Sequence, residues 1–417
     1  MYSAGTNSKP KGSQTPFGLI RKRIKGSLTA SYGALCVGII ALLVGTGPVL
    51  AQTETVLYNF CSLPAYCLDG ANPVAGLASD GAGNFYGTTL NAGPAYGNVF
   101  ELIPNGNYGF DEVTLHHFTL GLDGADPRSS VIFDDVGNLY GTACAGGAQG
   151  YGVVFELSGS GADRTEAELY SFANAGDGAY PCTALIRDQA GNLYGATFGD
   201  QIGGLGTIYE LIPSGSGWTE QVIYSFRSST YLRPSGLAMD LNGNIFAGIG
   251  LSILEFSPNG SGGWTPSVIY TFAGKYPSID STPALDGEGN IYGTIMHQSK
   301  AGLEVGLVYK LSHLGNSWSS QTLASWGKGT GPEGGLVLDS LGNIYGTTIG
   351  GGNYGYGTVF ELSPGIKRYR VKVLWNFNGA DGATPLGGLI LDNAGSVYGT
   401  TWAGGAQDLG TAFEVTP

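Results

Sequence analysis

Positive charge, histidine and helix-type hydrophobic patterns are scarce in this 417-residue sequence. Lys and Arg together number 19 against 32 Asp and Glu, and only four histidines occur. No Cys-x-x-Cys pair and no group of histidines has the spacing of a zinc site, so we expect no metal and no cofactor. A Gly-x-Ser-x-Gly elbow and a phosphate-cradling glycine loop are both absent, which disfavours the chemistry that each of them supports.

The first 51 residues differ from the rest. Arg21-Lys22-Arg23 precedes an almost wholly apolar stretch from Tyr32 to Leu50, and Val49-Leu50-Ala51 suits cleavage before Gln52. This pattern predicts a secretory signal peptide with a long basic n-region over residues 1–51. An uncleaved membrane anchor is the alternative, because the apolar stretch is close to the ~20 residues that span a bilayer.

The remaining chain is strongly acidic. After residue 51 it has 32 acidic and 13 basic residues, a formal charge of −19. Such a surface repels nucleic acid and anionic lipid, so we expect neither as a partner. The predicted signal peptide indicates a secreted, periplasmic or cell-surface protein that leaves the membrane after signal cleavage, and we expect it to be a monomer.

A short phrase close to Gly-Asn-Leu-Tyr-Gly occurs seven times. The copies start at Gly83, Gly137, Gly191, Gly243, Gly289, Gly342 and Gly395, a period near 50 residues. Each unit contains four short β-type segments bounded by Gly, Pro, Asp and Asn, and no helix-type period. A period of this length, with four strands in each unit, is typical of propeller blades.

Each unit supplies the strands of one blade in a recurring order. Strand A has a small residue near its middle, strand B bears Tyr-Gly-Thr, strand C bears Phe-Glu-Leu, and the aromatic strand D is outermost. The chain begins with a D strand at 56–60 and ends with a C strand at 410–415. We therefore predict an all-β, seven-bladed propeller over residues 52–417, in which the N-terminal strand closes the last blade.

The tight turn between strands A and B is specified residue by residue. An Asp stands three residues before the repeat glycine in every unit, as at Asp339 before Gly342. Its carboxylate is expected to cap backbone N–H groups, and the glycine to adopt a left-handed conformation. Calcium is disfavoured, because one carboxylate per blade does not provide six to eight converging oxygens.

Propeller topology places the D→A and B→C loops on one face, which we call the loop face. Carboxylates and aromatic rings there suit sugars or cations, since rings stack on sugars and acids accept hydrogen bonds from them. The alternative is that Asp-Gly-Ala-x-Pro is simply another turn, with Asp as its cap. The candidate ligand-binding residues are Asp69, Asp123, Asp177, Asp381, Tyr96, Tyr151, Tyr354 and Tyr356.

Four cysteines follow the signal region, and all of them fall on the loop face. Cys61 and Cys67 bracket one D→A loop, while Cys144 begins a B→C loop and Cys182 ends the next D→A loop. We predict the pairs Cys61–Cys67 and Cys144–Cys182, as befits an exported chain. These bonds either stiffen a binding face or simply staple long loops.

No residue pattern predicts catalysis. Strand C carries Glu in six of seven units, a repetition that indicates a structural bond between strands more than a pair of glycosidase acids. The histidines have no acid–nucleophile arrangement near them. A propeller metalloenzyme would place ligands where strand A begins, and we read Val74, Arg128, Cys182 and Leu386 at those positions. We expect no catalytic residue.

These motifs together resemble the Gloeo/Verruco (GloVer) tandem-repeat family. Its pattern of Asp-x-x-Gly-Asn-Leu-Tyr-Gly-Thr-Thr, then Gly-Gly and Tyr-Gly-Thr-Val-Phe-Glu-Leu, is nearly intact from Asp339 to Leu362. The resemblance implies an exported bacterial repeat protein and no particular activity. The sequence is therefore compatible with two functions. The first is a non-enzymatic module that binds a glycan or protein. The alternative is a hydrolase, lactonase or lyase acting on a carbohydrate-type substrate.

Overall fold

The computed structural model of the chain describes residues 52–63, 66–106, 109–199, 206–215, 217–226, 234–273, 275–279, 281–298, 304–315, 317–327 and 329–416. Contacts divide the chain into two units, Met1–Val49 and Leu50–Pro417. The predicted signal peptide, 1–51, lies outside the described residues and stays a prediction. The second unit consists of seven antiparallel sheets, each of them one blade.

The strands follow one another from the axis outward in most blades. The chain opens with β1 (Thr53–Asn59). Blade I is β2 (Ala78–Ser79), β3 (Phe85–Thr89), β4 (Asn98–Pro104) and β5 (Phe110–His117); blade II is β6 (Ile132–Phe133), β7 (Leu139–Ala143), β8 (Val153–Ser158) and β9 (Thr165–Ser171); blade III is β10 (Ile186–Arg187), β11 (Leu193–Ala196), β12 (Thr207–Ser214) and β13 (Gly217–Ser225).

The remaining blades repeat this order. Blade IV is β14 (Pro234–Met239), β15 (Ile245–Ile249), β16 (Ser252–Pro258) and β17 (Trp264–Thr271); blade V is β18 (Lys275–Ile279), β19 (Ala284–Leu285), β20 (Ile291–Gln298), β21 (Glu304–Leu314) and β22 (Ser317–Trp326); blade VI is β23 (Val337–Leu338), β24 (Ile344–Thr348), β25 (Thr358–Ser363) and β26 (Arg370–Asn376); blade VII is β27 (Ile390–Leu391), β28 (Val397–Thr401), β29 (Thr411–Thr416) and β1. The one helical segment in the described ranges is a 3-10 turn, Gly161–Asp163.

The ring closes through the N-terminal strand, as the sequence predicted. β1 pairs antiparallel with β29, with Thr53 opposite Thr416 and Asn59 opposite Thr411. It supplies strand D of blade VII, so that this sheet contains both the first and the last strand of the unit. The seven-bladed, all-β fold is confirmed.

Two blades depart from the repeat. Blade V has a fifth strand, because β18 occupies its D→A connection and pairs with the lengthened β20. In blade IV, the connection between β15 and β16 contains only Gly250 and Leu251. This B→C connection is much shorter than that of blade II, which runs from Cys144 to Gly152.

The A→B turns have the expected capping geometry. In blade II, Asp134 Oδ1 accepts hydrogen bonds from the backbone N–H of Val136 at 3.0 Å and of Asn138 at 2.8 Å. Asn138 Nδ2 donates to the other carboxylate oxygen at 2.9 Å, and Gly137 has φ +92°. Burial acts to raise the pKa of Asp134, but the bonds from Asn138 and Val136 outweigh it and lower the pKa.

A ring on strand C lies over a glycine on strand B in six of the seven blades. Gly141 of β7 is opposite Phe155 of β8, and a Cβ at Gly141 would overlap the Phe155 ring. Phe155 itself is fully buried in the core between blades I and II. Blade IV is the exception, since Ala247 stands in place of the glycine and the smaller Leu254 in place of the ring. The two positions thus change together.

The glycine–ring contact makes a paired prediction. Gly141→Ala should lower the free energy of unfolding by about 1–3 kcal/mol, because the added methyl group overpacks against the Phe155 ring. Adding Phe155→Leu copies the Ala247–Leu254 pair of blade IV and should recover part of that loss. Denaturant unfolding of the single and double variants measures both effects. A double variant less stable than the sum of its single changes would contradict this account.

Candidate functional site

The loops of the loop face form a hydrogen-bonded rim. In blade II, Ala125 of the entering D→A loop donates to Ala145 O of the B→C loop at 2.8 Å, and Ala145 donates back at 3.0 Å. Asp126 N donates to Tyr96 O of the preceding blade's B→C loop at 2.9 Å. Each such D→A loop therefore contacts the B→C loops on both sides of it.

Both disulfides reinforce this rim. The structure pairs Cys61 with Cys67 within one D→A loop and joins Cys144 to Cys182, with Cα separations of 4.1 and 4.9 Å. The second bond links the B→C loop of blade II to the start of strand A in blade III. These are the two pairs expected from the sequence, and both lie on the loop face.

The loop aspartates bind their own loops. Asp177 accepts hydrogen bonds from the backbone N–H groups of Ala173 and Ala175, each at 2.8 Å, and from Tyr170 Oη at 3.1 Å. Asp381 likewise accepts from Asn378 N at 2.8 Å and from Trp375 Nε1 at 3.1 Å. The carboxylates therefore hold the loops in shape, as the turn interpretation of Asp-Gly-Ala-x-Pro expected.

The other two aspartates have the same role. Asp69 is fully buried and accepts from Tyr58 Oη at 2.8 Å and Ser62 N at 2.7 Å. Asp123 accepts from Thr119 N at 2.7 Å and lies 3.4 Å from His116 Nε2. An aromatic or imidazole donor from the preceding strand D thus contacts the loop aspartate in each case. None of the four aspartates presents a free carboxylate to solvent.

Three of the four predicted tyrosines are exposed. Tyr354, Tyr356 and Tyr96 have 62%, 46% and 45% of their surface accessible. Tyr151 differs, because it is partly buried and packs edge-to-face on Tyr180, with ring centroids 5.9 Å apart. Tyr354, Tyr356 and Tyr96 can therefore contact a ligand directly, whereas Tyr151 supports the loop beneath.

Sequence reasoning missed further apolar side chains on this face. Tyr66 and Trp402 are 81% and 41% exposed, and Leu120 and Leu122 are 47% and 67% exposed. They occupy D→A or B→C loops at positions that differ between units, so a search for repeated residues passes over them. Comparing loop positions unit by unit for unmatched aromatics would have found Tyr66 and Trp402.

The same loops concentrate unusual backbone conformations. Among the described residues, ten that are not glycine have positive φ, and every one lies in a D→A or B→C loop: Cys61, Tyr66, Cys67, Asn72, Leu120, Asp126, Asn174, Tyr180, Thr384 and Asp408. Such conformations cost energy and persist where the surroundings impose them. The aspartate bonds and the disulfides provide that restraint.

A cavity of about 590 Å³ lies on the axis and is lined by strand A segments of all seven blades. Its hydroxyl groups bond within the ring, as when Ser129 Oγ and Thr142 Oγ1 meet at 2.8 Å. The charged side chains lining it, in the part of the chain that the structure describes, are Arg128 and Glu333. Burial raises the pKa of Glu333.

Glu333 is a second residue that sequence reasoning missed. It stands six residues before the turn aspartate of its unit, the same position as Arg128, Val74, Cys182 and Leu386 in theirs. Counting back from that aspartate in unit six would have identified it. Asp280 has this position in unit five and lies outside the described residues.

The repeated Glu of strand C is structural. Tyr194 Oη of strand B donates to Glu210 Oε1 on the adjacent strand C and also contacts Asp188 of the turn, both at 3.0 Å. Blade V replaces the Glu with Lys310, whose Nζ lies 4.0 Å from the turn residue Asp286. In blades II, III and VII the strand-B tyrosine thus contacts both the turn aspartate and the strand-C glutamate, whereas blade IV has Phe246 at this position.

Within the described ranges, no three or more His, Cys, Asp and Glu side chains lie close enough together to hold a metal ion. His116 contacts Asp123, and burial lowers the pKa of both His116 and His117. No helix in those ranges is long and apolar enough to cross a membrane.

In comparison with known protein families, one family profile matches this chain. The profile of the Gloeobacter/Verrucomicrobia repeat matches residues 48–253 and 251–417, which together span most of the chain. No curated protein matches the sequence significantly.

Solved structures support the fold. The extracellular domain of a hybrid two component system from B. thetaiotaomicron superposes with a TM-score of 0.53 at 12% identity, over 88% of this chain and 41% of that one. This chain thus spans less than half of that structure. Virginiamycin B lyase from Staphylococcus aureus gives 0.52 at 9% identity, over 88% and 99%. A polysaccharide lyase, the PL25 ulvan lyase, gives 0.53 at 12%, over 84% and 93%. These likenesses concern the fold alone.

The role of the loop aspartates is directly testable. Asp177→Ala should lower the free energy of unfolding by about 1–3 kcal/mol, because two backbone N–H groups and Tyr170 Oη lose their acceptor. Asp177→Asn retains an acceptor oxygen and should lose less. Thermal and denaturant unfolding of the two variants measures the difference. Equal stability of Asp177→Ala and the unmodified protein would contradict the capping role.

Proposed function

The chain belongs to the Gloeobacter/Verrucomicrobia repeat family, and on that premise we propose that it is a non-enzymatic exported propeller that binds a glycan or an extracellular protein. The ligand contacts the loop face over blades VI, VII and I. Its main contacts are the exposed rings of Tyr66, Tyr96, Tyr354, Tyr356 and Trp402. The loop aspartates act indirectly, by holding those rings in place.

One observation carries this proposal: exposed aromatic rings stand on loops that are restrained from below. Tyr354 is 62% exposed and Tyr66 81% exposed, although both are large apolar side chains. Rings of this kind bury much area on binding and lose little side-chain entropy, so they are frequent anchors of ligand sites. Restraint of the loops lowers the ordering cost that binding would otherwise incur.

Export is supported by the predicted signal peptide and by the two disulfides, Cys61–Cys67 and Cys144–Cys182. Disulfides persist in oxidising compartments outside the cytosol. The acidic composition agrees with a partner that is neither nucleic acid nor an anionic membrane. We propose a secreted, periplasmic or cell-surface monomer.

The axial cavity favours a second candidate function, that of a hydrolase, lactonase or lyase. Glu333 is partly buried at the cavity, and burial raises its pKa, which suits a general acid or base. Arg128 lines the same cavity and could accept an acidic group of a substrate. Two lyases share the fold, at identities that carry no statement about activity.

Binding is tested with a glycan array followed by calorimetry on the glycan that binds. Tyr354→Ala and Tyr356→Ala should each weaken binding by about tenfold or more, because each removes a stacking ring worth at least about 1.4 kcal/mol. Leu341→Ala is the matched control, since Leu341 is 79% exposed on an A→B turn at the opposite face.

The outcomes separate clearly. Equal losses in the Tyr354, Tyr356 and Leu341 variants would contradict a site on the loop face. An absence of binding to both the array and proteins of the cell envelope would contradict the binding module itself.

The enzymatic alternative has its own test. Acidic polysaccharides and sugar lactones are incubated with the protein, and new reducing ends, unsaturated sugars and released acid are measured. Turnover that falls about 100-fold in Glu333→Gln would establish the axial cavity as catalytic. Our proposal expects no turnover above the buffer control.

A further inference from the structure

Four glutamates occupy one structural position on strand D. Glu54 of β1 lies opposite Val415, Glu112 of β5 opposite Leu102, Glu166 of β9 opposite Leu157, and Glu220 of β13 opposite Leu211. The strand-C partner is buried in all four pairs. The glutamates therefore project from the same side of their blades, VII, I, II and III.

Each glutamate lies within electrostatic range of the aspartate in the loop that enters its blade. Glu54 is repelled by Asp381, Glu112 by Asp69, Glu166 by Asp123 and Glu220 by Asp177. The aspartates accept hydrogen bonds from backbone N–H groups and ring donors, an environment that suits a charged carboxylate. The glutamate of each pair accepts no comparable set of hydrogen bonds.

The glutamates are poorly compensated. One carboxyl oxygen each of Glu54, Glu166 and Glu220 is buried without a hydrogen-bond partner, and Glu112 accepts one bond, from Thr114 Oγ1 at 2.8 Å. In the described ranges, no Lys or Arg forms an ion pair with any of the four. The four side chains are partly buried, and burial costs an uncompensated carboxylate far more than it costs the protonated form.

The pairs are present or absent as units. In blades IV, V and VI, strand D has Pro266, Ser320 and Val371 at the glutamate position. The loop aspartate of the other blades lies eleven residues before the turn aspartate, and blades IV, V and VI have Ser229, Lys275 and Lys328 there. In blades VII, I, II and III both acids are present, and we call each place where such a glutamate and aspartate lie near each other a junction. A glutamate kept only for solubility would not follow the loop aspartate in this way.

We propose that the Glu–Asp pairs at these four junctions each hold one proton, on the glutamate, and that this half of the propeller is thereby built to be most stable in mildly acidic surroundings. As the glutamates ionise at higher pH, two negative charges face each other at each junction, and the D→A loops that carry the aspartates loosen. The inference concerns the junctions and does not depend on which ligand the loop face binds.

The protonation energetics support the geometry. Burial first, and Asp381 second, raise the pKa of Glu54 to about 8. Burial also raises the pKa of Glu112 and of Glu220 to about 7, with Asp69 and Asp177 adding to it, and the bond from Thr114 acting against it in Glu112. The pKa of Glu166 is raised by burial and then by Asp123 and Glu168.

Of the other titratable groups near the four glutamates, the tyrosines leave this effect unchanged at neutral pH and the two histidines oppose it in part. Tyr58 faces Asp69 and Glu112, while Tyr170 and Tyr209 face Glu220, and burial raises the pKa of all three far above neutrality. His116 beside Asp123, and His117 next to it, have pKa values lowered mainly by burial. Their contribution to stability increases with rising pH, opposite in sign to that of the glutamates.

The sign follows from proton linkage. Between the ordinary carboxyl pKa near 4.5 and the raised values near 7 to 8, the folded chain binds more protons than the unfolded chain. The contribution of these glutamates to the free energy of unfolding is therefore complete below about pH 4.5 and is lost as pH rises through 7 to 8.

The test compares the full chain with a variant in which Glu54, Glu112, Glu166 and Glu220 are all replaced by Gln, a neutral mimic of the protonated acid. Melting temperatures are measured from pH 5 to pH 8 at constant ionic strength. The unmodified protein should melt at progressively lower temperature relative to the Gln variant as pH rises. Asp163→Asn, which removes one exposed charge, should follow the unmodified protein.

Two results would overturn the proposal. One is a melting temperature that changes with pH identically in the unmodified protein and the fourfold Gln variant. The other applies even if that variant does not fold: glutamate side chains labelled with carbon-13 should show carboxyl resonances that titrate above pH 6 in the unmodified protein, and titration of every one below pH 5 would refute it. Neither measurement involves a ligand, so the fate of the binding proposal is separate.

Discussion

The contact between a glycine on strand B and a ring on strand C determines how closely the strands of each blade pack. Gly141 leaves room for the Phe155 ring to lie across its strand, and the ring then fills the core between neighbouring blades. Because the same contact recurs around the circle, the blades have similar cores and the ring can close. Blade IV reaches the same end with Ala247 and Leu254. The packing between strands B and C therefore depends on the two residues fitting each other, and neither residue alone determines it.

Much of the fold could be predicted because its determinants are local. Asp134 and Gly137 specify a turn whose bonds form within five residues, and the order of strands in one unit predicts the loop face and the closure by β1. The bonding of Asp177 could be predicted only as an alternative, since its sequence context suits both a cap and a ligand contact. The position of Glu333 could also have been predicted by counting back from Asp339 within its own unit. The exposure of Tyr66 depends on how neighbouring loops pack, which the sequence of one unit does not encode.

The ring is chemically uneven although its repeats are regular. Blades VII, I, II and III have the four strand-D glutamates, both disulfides and, within the described ranges, most of the left-handed loop residues. Blades IV to VI lack the acid pairs, and they include the extra strand β18 and the short Gly250–Leu251 connection. Among the described residues, strained loop conformations and acid pairs are thus gathered on one side of the ring. Closing the ring does not itself require left-handed loop residues or acid pairs.

Closure by β1 also determines how the molecule responds to tension. Thr53 and Thr416 lie side by side at one end of the β1–β29 pair, with their hydroxyl oxygens 2.6 Å apart. A pull applied through both termini would open this pair like a zipper, breaking one or two hydrogen bonds at a time, so little force is needed. Anchorage through one terminus alone leaves the pair unloaded. The propeller is consequently suited to being held at a single point, and would be a weak link within a chain under load.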